Sequence, residues 1–207
     1  MKVALISYHK NAHKIYPQEW IEAYSNSILS QTVQPDIHEL CYGGTGLVFW
    51  KSKFFKIKNF NTFVHAMNWM LDELFSDGYD CVANSNLDDV YDKEWIEKSI
   101  KYIGKGYDLV SCNFHLIDKD GKVYHTHNFE KLNIEEELKK NHNVICHPGV
   151  LYSKNFWERN RYIPEEIPFE DRELWKRAIK NSKFFIQPEH LVFHRVHDNS
   201  VCNSENR

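Results

Sequence analysis

The sequence predicts an α/β domain in which a mostly parallel central sheet is flanked by helices. The first half of the chain alternates short apolar runs with amphipathic stretches about four times, which is the pattern of strands joined by helical crossovers. The apolar runs are continuous, as expected for strands buried on both faces. The 207 residues are 42% hydrophobic and 14% aromatic, which suits a packed domain and argues against disorder. We therefore expect a single domain over residues 1–207, which can belong to a longer protein.

The first half begins with a strand, a helix and a second strand. Residues 2–8 form a short apolar run typical of a buried strand. Pro17 suits the first turn of a helix, and the spacing of later apolar residues continues that helix to residue 31. Residues 37–42 predict the next strand, which ends at the glycine cluster of residues 43–46.

The clearest helix of the sequence lies in the middle of the chain. Apolar residues recur at helical spacing over 63–75, and an Asn-Thr pair precedes them as the cap. This helix leads into a strand that starts near residue 79 and ends in two adjacent carboxylates. Asp92 begins a further helix, and residues 107–114 predict the strand after it.

The second half is less regular. It predicts a hairpin turn at 118–121, a short helix from 133, a strand over 144–152, a helical turn near 156, a helix from 170 and extended runs at 183–187 and 190–197. A His-Pro-Gly segment at 147–149 interrupts the strand over 144–152. Because proline cannot donate a ladder hydrogen bond, this interruption predicts an edge strand or a bulge.

Composition and charge exclude several classes of protein. The formal net charge is -3, so bulk electrostatics give no reason to expect nucleic acid as a partner. No apolar stretch approaches the roughly 20 residues of a membrane-spanning helix, and the first apolar run is too short for a signal peptide. The five cysteines are widely spaced without a Cys-x-x-Cys pair, which favours reduced thiols. We therefore expect a soluble, cytoplasmic protein without a membrane span.

Two further patterns have functional alternatives that the rest of the sequence does not favour. The glycine cluster at 43–46 lacks the Lys-Ser/Thr of a P-loop, so a plain turn explains it better. Residues 47–60 interleave aromatic residues with lysines, as single-stranded nucleic acid sites do. The lysines are few and the net charge is negative, so packed rings with solvated lysines are the better explanation.

Asp88 and Asp89 are the most informative residues of the sequence. They follow an apolar run, and the carboxyl ends of parallel strands are where open α/β sheets bind ligands. Two adjacent ionised carboxylates repel each other and are best tolerated in solvent or beside a cation. From these residues alone, a metal site and a solvated loop that caps the helix from Asp92 are equal alternatives.

Five sequence features resemble the family 2 glycosyltransferases of the GT-A fold, in the family's order and over nearly the whole chain. They are the strand at 3–8, the Ser-Ile-Leu-Ser-Gln-Thr segment at 27–32, the Asn-Leu-Asp-Asp segment at 86–89, the Glu-Asp helix from 170 and the Arg-Val-His segment at 195–197. The resemblance implies one GT-A domain with a nucleotide-binding half over 1–114 and an acceptor and catalytic half over 115–207. Glycosyltransferase domains of large algal viruses are similar, which would place the protein in the host-cell cytoplasm.

The resemblance assigns roles to particular residues. Asp171 corresponds to the general base, with Glu170 as the alternative. Asp88 corresponds to the principal ligand of Mn2+ or Mg2+, and His197 to a second ligand. The donor-binding residues that it implies are Ser7, Tyr8, Tyr42, Asn86, Asp88 and Asp89. Without the resemblance, the acidic pair is explained as a favourable helix start and His197 as a polar residue at a strand end.

Two positions depart from the family's pattern. The second strand of the family usually ends in aspartates that hold the base or the ribose, whereas here it ends in Cys41 and Tyr42. Tyr42 can stack on the base instead. Asn86 replaces the first aspartate of the metal motif, so we expect metal binding to depend mainly on Asp88 and Asn86 to contact the ribose.

The resemblance implies a metal-dependent, inverting glycosyltransferase. It would transfer a hexosyl or deoxyhexosyl group from a nucleotide-sugar donor, expected to be a UDP-sugar, to a hydroxyl of a glycan or glycoprotein acceptor. A sugar-1-phosphate nucleotidyltransferase is a second interpretation, and the lack of a glycine-rich basic loop after the first strand counts against it. A binding module without catalysis is a third interpretation, motivated by Tyr42 and Asn86.

Overall fold

The computed structural model describes residues 1–44 and 54–198. Residues 45–53 lie outside the described residues, and they include the end of the glycine cluster and the first part of the aromatic and lysine-rich stretch. Cys202 also lies outside them. Within the described ranges, no helix has the length and apolar character needed to cross a membrane.

Nine strands of the described residues form one sheet. In chain order they are β1 (Val3–His9), β2 (Asp36–Cys41), β3 (Phe54–Ile57), β4 (Cys81–Ser85), β5 (Val90–Tyr91), β6 (Leu109–Ile117), β7 (Val123–His127), β8 (Leu151–Ser153) and β9 (Phe184–Arg195). Their order across the sheet is β3-β2-β1-β4-β8-β6-β9-β5, and β7 pairs with β6. Strands β1, β2, β3, β4, β6 and β9 run in one direction, and β5, β7 and β8 run in the other. The predicted mostly parallel α/β sheet is confirmed.

Helices cover both faces of this sheet. They are α1 (Ala12–Ile15), α2 (Gln18–Leu29), α3 (Phe63–Ser76), α4 (Trp95–Ile103), α5 (Ile134–Lys139), α6 (Lys154–Arg159) and α7 (Glu170–Ala178). Side chains of α2 and α4 pack in one buried cluster, and those of α3, α6 and α7 pack in another. Strand β1 contributes to both clusters because its side chains alternate between the two faces of the sheet.

Local sequence signals explain where several helices begin. The Thr62 hydroxyl accepts a hydrogen bond from the His65 amide at the start of α3. Asn133 and Ser153 cap α5 and α6 in the same way, through the amides three residues later. Each cap satisfies an amide that has no partner within its own helix, so the helix starts are determined by residues next to them in sequence.

The segment over 144–152 differs from its prediction. His147–Gly149 form a 3-10 turn, and only Leu151–Ser153 form a strand. This strand, β8, lies between β4 and β6, so the predicted edge position is wrong. The physical reason is that Pro148 lies in the turn before the strand, where it does not have to donate a ladder hydrogen bond.

The two extended runs at 183–187 and 190–197 form one strand, β9, instead of two. The register between β6 and β9 shifts on both sides of Asn113. The Asn113 side chain donates to the Pro188 carbonyl at 2.9 Å and accepts from the Phe129 amide at 2.7 Å. The buried amide therefore satisfies backbone groups where the ladder is irregular, and the strand continues past its proline.

Gly149 is required by the packing of the 3-10 turn, and this leads to a stability prediction. A Cβ atom at this position would lie 2.8 Å from Val192 Cγ2 and 3.2 Å from Cys112 Sγ. We expect Gly149→Ala to lower the free energy of unfolding by about 1–3 kcal/mol, because the core must shift to admit the methyl group. Urea unfolding measures the change.

The matched control is Gly104→Ala. Gly104 ends α4 with φ of -63°, and the nearest atom to an added Cβ there is the Ile100 carbonyl oxygen at 3.4 Å. We expect this variant to be at least as stable as the wild type, because alanine restricts the unfolded chain without strain in the folded one. Equal stability of the two variants would contradict the packing argument.

Candidate active site

The loop after β4 meets the end of β9 at the carboxyl edge of the sheet. Asp88 lies in this loop and is 7% exposed. His197 follows β9, and its Nε2 lies 3.0 Å from Asp88 Oδ2 although the two residues are 109 positions apart. The two residues assigned to metal binding are therefore in contact.

Asp89 has a different environment from Asp88. It is 0% exposed, and its Oδ1 accepts hydrogen bonds from the Arg195 amide at 2.8 Å and lies 3.0 Å from His194 Nδ1. Burial raises the pKa of the Asp89 carboxyl, and the neighbouring Asp88 adds to this, whereas His194 and the Arg195 amide oppose it. This arrangement makes Asp89 the anchor of the last strand, whereas Asp88 keeps a small exposed fraction.

Arg195 connects the loop of residues 86–89, which we call the carboxylate loop, to the hairpin between β6 and β7. Its Nε donates to the Asp88 carbonyl at 2.9 Å, and its Nη1 donates to the carbonyls of Asp118 and Lys119 at 2.9 Å and 3.1 Å. The guanidinium lies 4.8 Å from the ring centre of Trp20. Because these bonds come from one rigid planar group, Arg195 fixes the backbone of Asp88.

Two aromatic rings of the N-terminal region pack against His197. The ring centres of Trp20 and Tyr16 lie 4.9 Å and 5.7 Å from that of the imidazole. Burial raises the pKa of the Tyr16 hydroxyl, and the charges of Asp88 and Asp89 raise it further, so the hydroxyl stays neutral. The rings restrict the movement of His197 and shield its contact with Asp88 from water.

The side chains at this position suit a hard divalent cation that shares its coordination with a substrate. Among the described residues, no group of three or more His, Cys, Asp or Glu side chains is arranged to hold a metal ion. Asp88 and His197 offer one carboxylate oxygen and one imidazole nitrogen that already converge. Mg2+ and Mn2+ commonly take only one or two protein ligands and complete their shell with phosphate oxygens and water. The residues present therefore fit such an ion.

A second group of polar residues lies at the start of α7. Asp171 Oδ2 accepts a hydrogen bond from Asn143 Nδ2 at 2.9 Å, and its Oδ1 accepts from the Arg172 amide at 2.6 Å. Glu170 is 9% exposed, whereas Asp171 is half-buried. Burial lowers the pKa of His147, and the charge of Asp171 opposes this shift. Asn143 therefore orients a carboxylate that solvent can still reach.

The residues assigned to donor binding surround the ends of β1, β2 and β4. Tyr8 lies in β1 and Tyr42 directly follows β2, and their ring centres are 6.4 Å apart. Burial raises the pKa of Tyr8, and nearby Tyr152, Tyr42 and Glu170 add to the effect. Asn86 is half-buried at the start of the carboxylate loop. Ser7 differs from the others because it is 0% exposed and its side chain is enclosed in the core.

A protein-family model matches most of this chain. The model of the family described as Glycosyl transferase family 2 matches residues 52–201, which is more than half of the chain. This chain belongs to glycosyl transferase family 2. No match is found among the curated proteins.

Solved structures with the same fold include other glycosyltransferases. The family 2 chain superposes on TarS of S. aureus in complex with UDP with a TM-score of 0.70 and 16% identity, covering 96% of this chain and 61% of that one. For TarS with UDP-GlcNAc the TM-score is 0.75 at 14% identity, covering 100% and 62%. For the mannosyltransferase PcManGT of Pyrobaculum calidifontis with GDP-Man and Mn2+ it is 0.63 at 10% identity, covering 97% and 58%. The chain thus spans about three fifths of the length of these proteins.

The structure adds residues to the site of this family 2 chain that the sequence did not assign to it. Asn143 orients Asp171 from a loop with no recognisable motif, so no sequence signal could have indicated it. Trp20 belongs only to the helical pattern that begins at Pro17, and no sequence signal indicates Tyr16. His194 was detectable in principle, because it lies next to the Arg-Val-His segment, but its contact with Asp89 depends on the register of β9.

Proposed function

We propose that this chain is the catalytic domain of a metal-dependent, inverting glycosyltransferase that uses a nucleotide-sugar donor. The observation that carries the proposal is the 3.0 Å contact between Asp88 and His197 at the carboxyl edge of the sheet, within a family 2 fold. This contact brings together a carboxylate and an imidazole that are 109 positions apart in the chain, at the sheet edge where α/β proteins bind their ligands.

The donor proposed is a UDP-sugar. Structures with this fold hold UDP, UDP-GlcNAc and GDP-Man, which supports a nucleoside diphosphate sugar as the class of donor. We assign Tyr42 to stacking on the base and Asn86 to contacting the ribose. Tyr8 completes the donor side in this proposal. Ser7 is fully buried, so we assign it an indirect role in which it supports the end of β1.

Asp88 and His197 would hold the Mn2+ or Mg2+ ion, which when bound neutralises the charge that develops on the departing diphosphate. Asp89 acts indirectly, because its bonds to His194 and to the Arg195 amide fix the loop that carries Asp88. Histidine as a ligand favours Mn2+ over Mg2+. We therefore expect stronger activation by Mn2+.

Asp171 is the proposed general base. It is half-buried and oriented by Asn143, so it can accept a proton from an acceptor hydroxyl that enters from solvent. Glu170 is the weaker candidate because its side chain is buried beside Tyr8. A single base that acts opposite the leaving diphosphate gives direct displacement with inversion at the anomeric carbon.

In this proposal the two halves of the chain have different functions. We assign donor binding to residues 1–114, which supply β1, β2, β4 and the carboxylate loop. Residues 115–207 supply Asn143, α7 and His197, and we assign them to the acceptor and to catalysis. The acceptor proposed is a hydroxyl of a glycan or glycoprotein.

A thermal-shift screen tests the class of donor. We expect UDP or a UDP-sugar to raise the melting temperature in Mn2+ and not in EDTA, because ligand binding stabilises only the folded state. UTP with a sugar 1-phosphate is the control for the nucleotidyltransferase alternative. Release of inorganic diphosphate from UTP and the sugar 1-phosphate would contradict the proposed function. Tight binding of UDP-sugars without any hydrolysis or transfer would instead identify a binding module.

A further inference from the structure

The 3-10 turn His147–Gly149 is held by side chains that surround the carboxylate loop. Asn84 Nδ2 donates to the carbonyl of His147 at 2.9 Å. The Tyr91 hydroxyl donates to the carbonyl of Pro148 at 3.1 Å, and Trp95 Nε1 donates to that of Gly149 at 3.2 Å. Three consecutive carbonyls are thus bound by three side chains from β4, β5 and the start of α4.

Tyr91 differs from the other two donors because its hydroxyl makes a second bond. It accepts a hydrogen bond from the Asn86 amide at 2.9 Å, in addition to its bond to Pro148. Asn86 opens the loop that carries Asp88, whereas Pro148 follows His147, whose ring centre lies 6.0 Å from that of Trp175 in α7, the helix that carries Asp171. One hydroxyl therefore connects the donor side of the site to its acceptor side.

The surroundings of Tyr91 make this connection rigid. The side chain is 3% exposed, and its ring stacks on that of Trp95 with ring centres 4.4 Å apart. Burial raises the pKa of the Tyr91 hydroxyl well above its usual value, so the hydroxyl keeps the proton that it donates to Pro148. On the other side, Gly149 packs against Val192 and Cys112 without room for an added Cβ atom, which limits movement of the turn away from Tyr91.

We propose that Tyr91 is a positioning residue that fixes the distance between the carboxylate loop at Asn86, on the donor side, and the turn at Pro148, on the acceptor side. This inference rests on the proposed function and deepens it, because transfer requires the anomeric carbon and the acceptor hydroxyl to be held in near-attack geometry. A misplacement of about 1 Å is enough to lower such a rate by about 100-fold. Tyr91 itself touches neither substrate.

The test compares Tyr91→Phe with Tyr24→Phe. Both variants keep the ring and remove one buried hydroxyl, but the Tyr24 hydroxyl bonds to Ser85 in β4 and does not reach the turn. The probes are UDP-GlcNAc with Mn2+ for hydrolysis, and UDP with Mn2+ for binding. We expect Tyr91→Phe to lower kcat for hydrolysis by about 10-fold with KM within about 2-fold, whereas Tyr24→Phe changes kcat by less than about 2-fold.

Amide hydrogen exchange is the second measurement. It reports whether binding at the carboxylate loop protects the turn, which a purely structural role of Tyr91 would not affect. We expect UDP with Mn2+ to slow exchange at Gly149 and Val150 in the wild type and in Tyr24→Phe, and not in Tyr91→Phe, because the connection from the carboxylate loop is lost. Equal protection of the turn in both variants, or equal loss of kcat, would overturn the proposal.

Failure of the proposed function would look different. In that case the wild type itself binds neither UDP nor GDP in Mn2+. The role of Tyr91 is then tested by amide hydrogen exchange of the ligand-free protein. Tyr91→Phe should then accelerate exchange at both Asn86 and Gly149, whereas Tyr24→Phe should leave both unchanged. Acceleration confined to Asn86 would show that the hydroxyl does not couple the loop to the turn.

Discussion

Asp171→Asn is expected to lower sugar transfer by about 10³-fold, because an amide cannot take the proton of the acceptor hydroxyl and general bases contribute on the order of 10²- to 10⁴-fold. Donor binding should change little, since Asp171 lies at the start of α7 and not among the donor residues. The measurement is single-turnover transfer at saturating donor, together with the dissociation constant of UDP in Mn2+.

Glu173→Gln is the matched control for this prediction. Glu173 lies in the first turn of the same helix and forms ion pairs with Lys176 and Arg172 at the surface, so its loss should leave transfer unchanged. Asp171→Asn gives up at most one hydrogen bond, from Asn143 or from the Arg172 amide, and should remain folded. Normal transfer in a folded Asp171→Asn protein would exclude Asp171 as the base, and Glu170→Gln would then be examined in the same assay.

Asp88→Asn is expected to lower Mn2+-dependent activity by at least about 100-fold and to weaken UDP binding only when Mn2+ is present. The amide oxygen can still accept a hydrogen bond from His197 Nε2, so the contact between loop and strand end persists without the charge that holds the cation. Titration of activity against Mn2+, with and without EDTA, measures the effect. Unchanged activity in Asp88→Asn, or full turnover in EDTA, would remove the metal role.

Asp92→Asn is the control for charge removal in the same segment. Asp92 Oδ1 accepts a hydrogen bond from the Glu94 amide at 2.8 Å, and the side-chain oxygen of asparagine can accept the same bond. Its activity and its response to Mn2+ should match those of the wild type. Asp89→Asn is expected to behave differently from both, with a loss of stability, because the buried carboxylate anchors His194 and the Arg195 amide.

The family 2 assignment, the α/β class and most helix starts could be predicted from the sequence because their signals are local. The cap at Thr62 and the helical spacing after it lie within one stretch of chain, and α3 forms there. The carboxylates at 88 and 89 were recognised because a buried strand ends just before them. The same local reasoning is incomplete over 144–152, where the proline predicts an edge strand or a bulge. In the structure Pro148 lies in a turn before a central strand.

The class of fold, the family and the acidic candidates follow from local patterns in the sequence. Which side chains meet depends on the tertiary structure. It brings His197 to Asp88 across 109 positions, gives Asp89 an anchoring role, supplies Asn143 to Asp171 and connects Asn86 to Pro148 through Tyr91. The physical reason is that helix caps and strand periodicity depend on near neighbours, whereas contacts at the carboxyl edge depend on strand order and register, which the whole packed core determines.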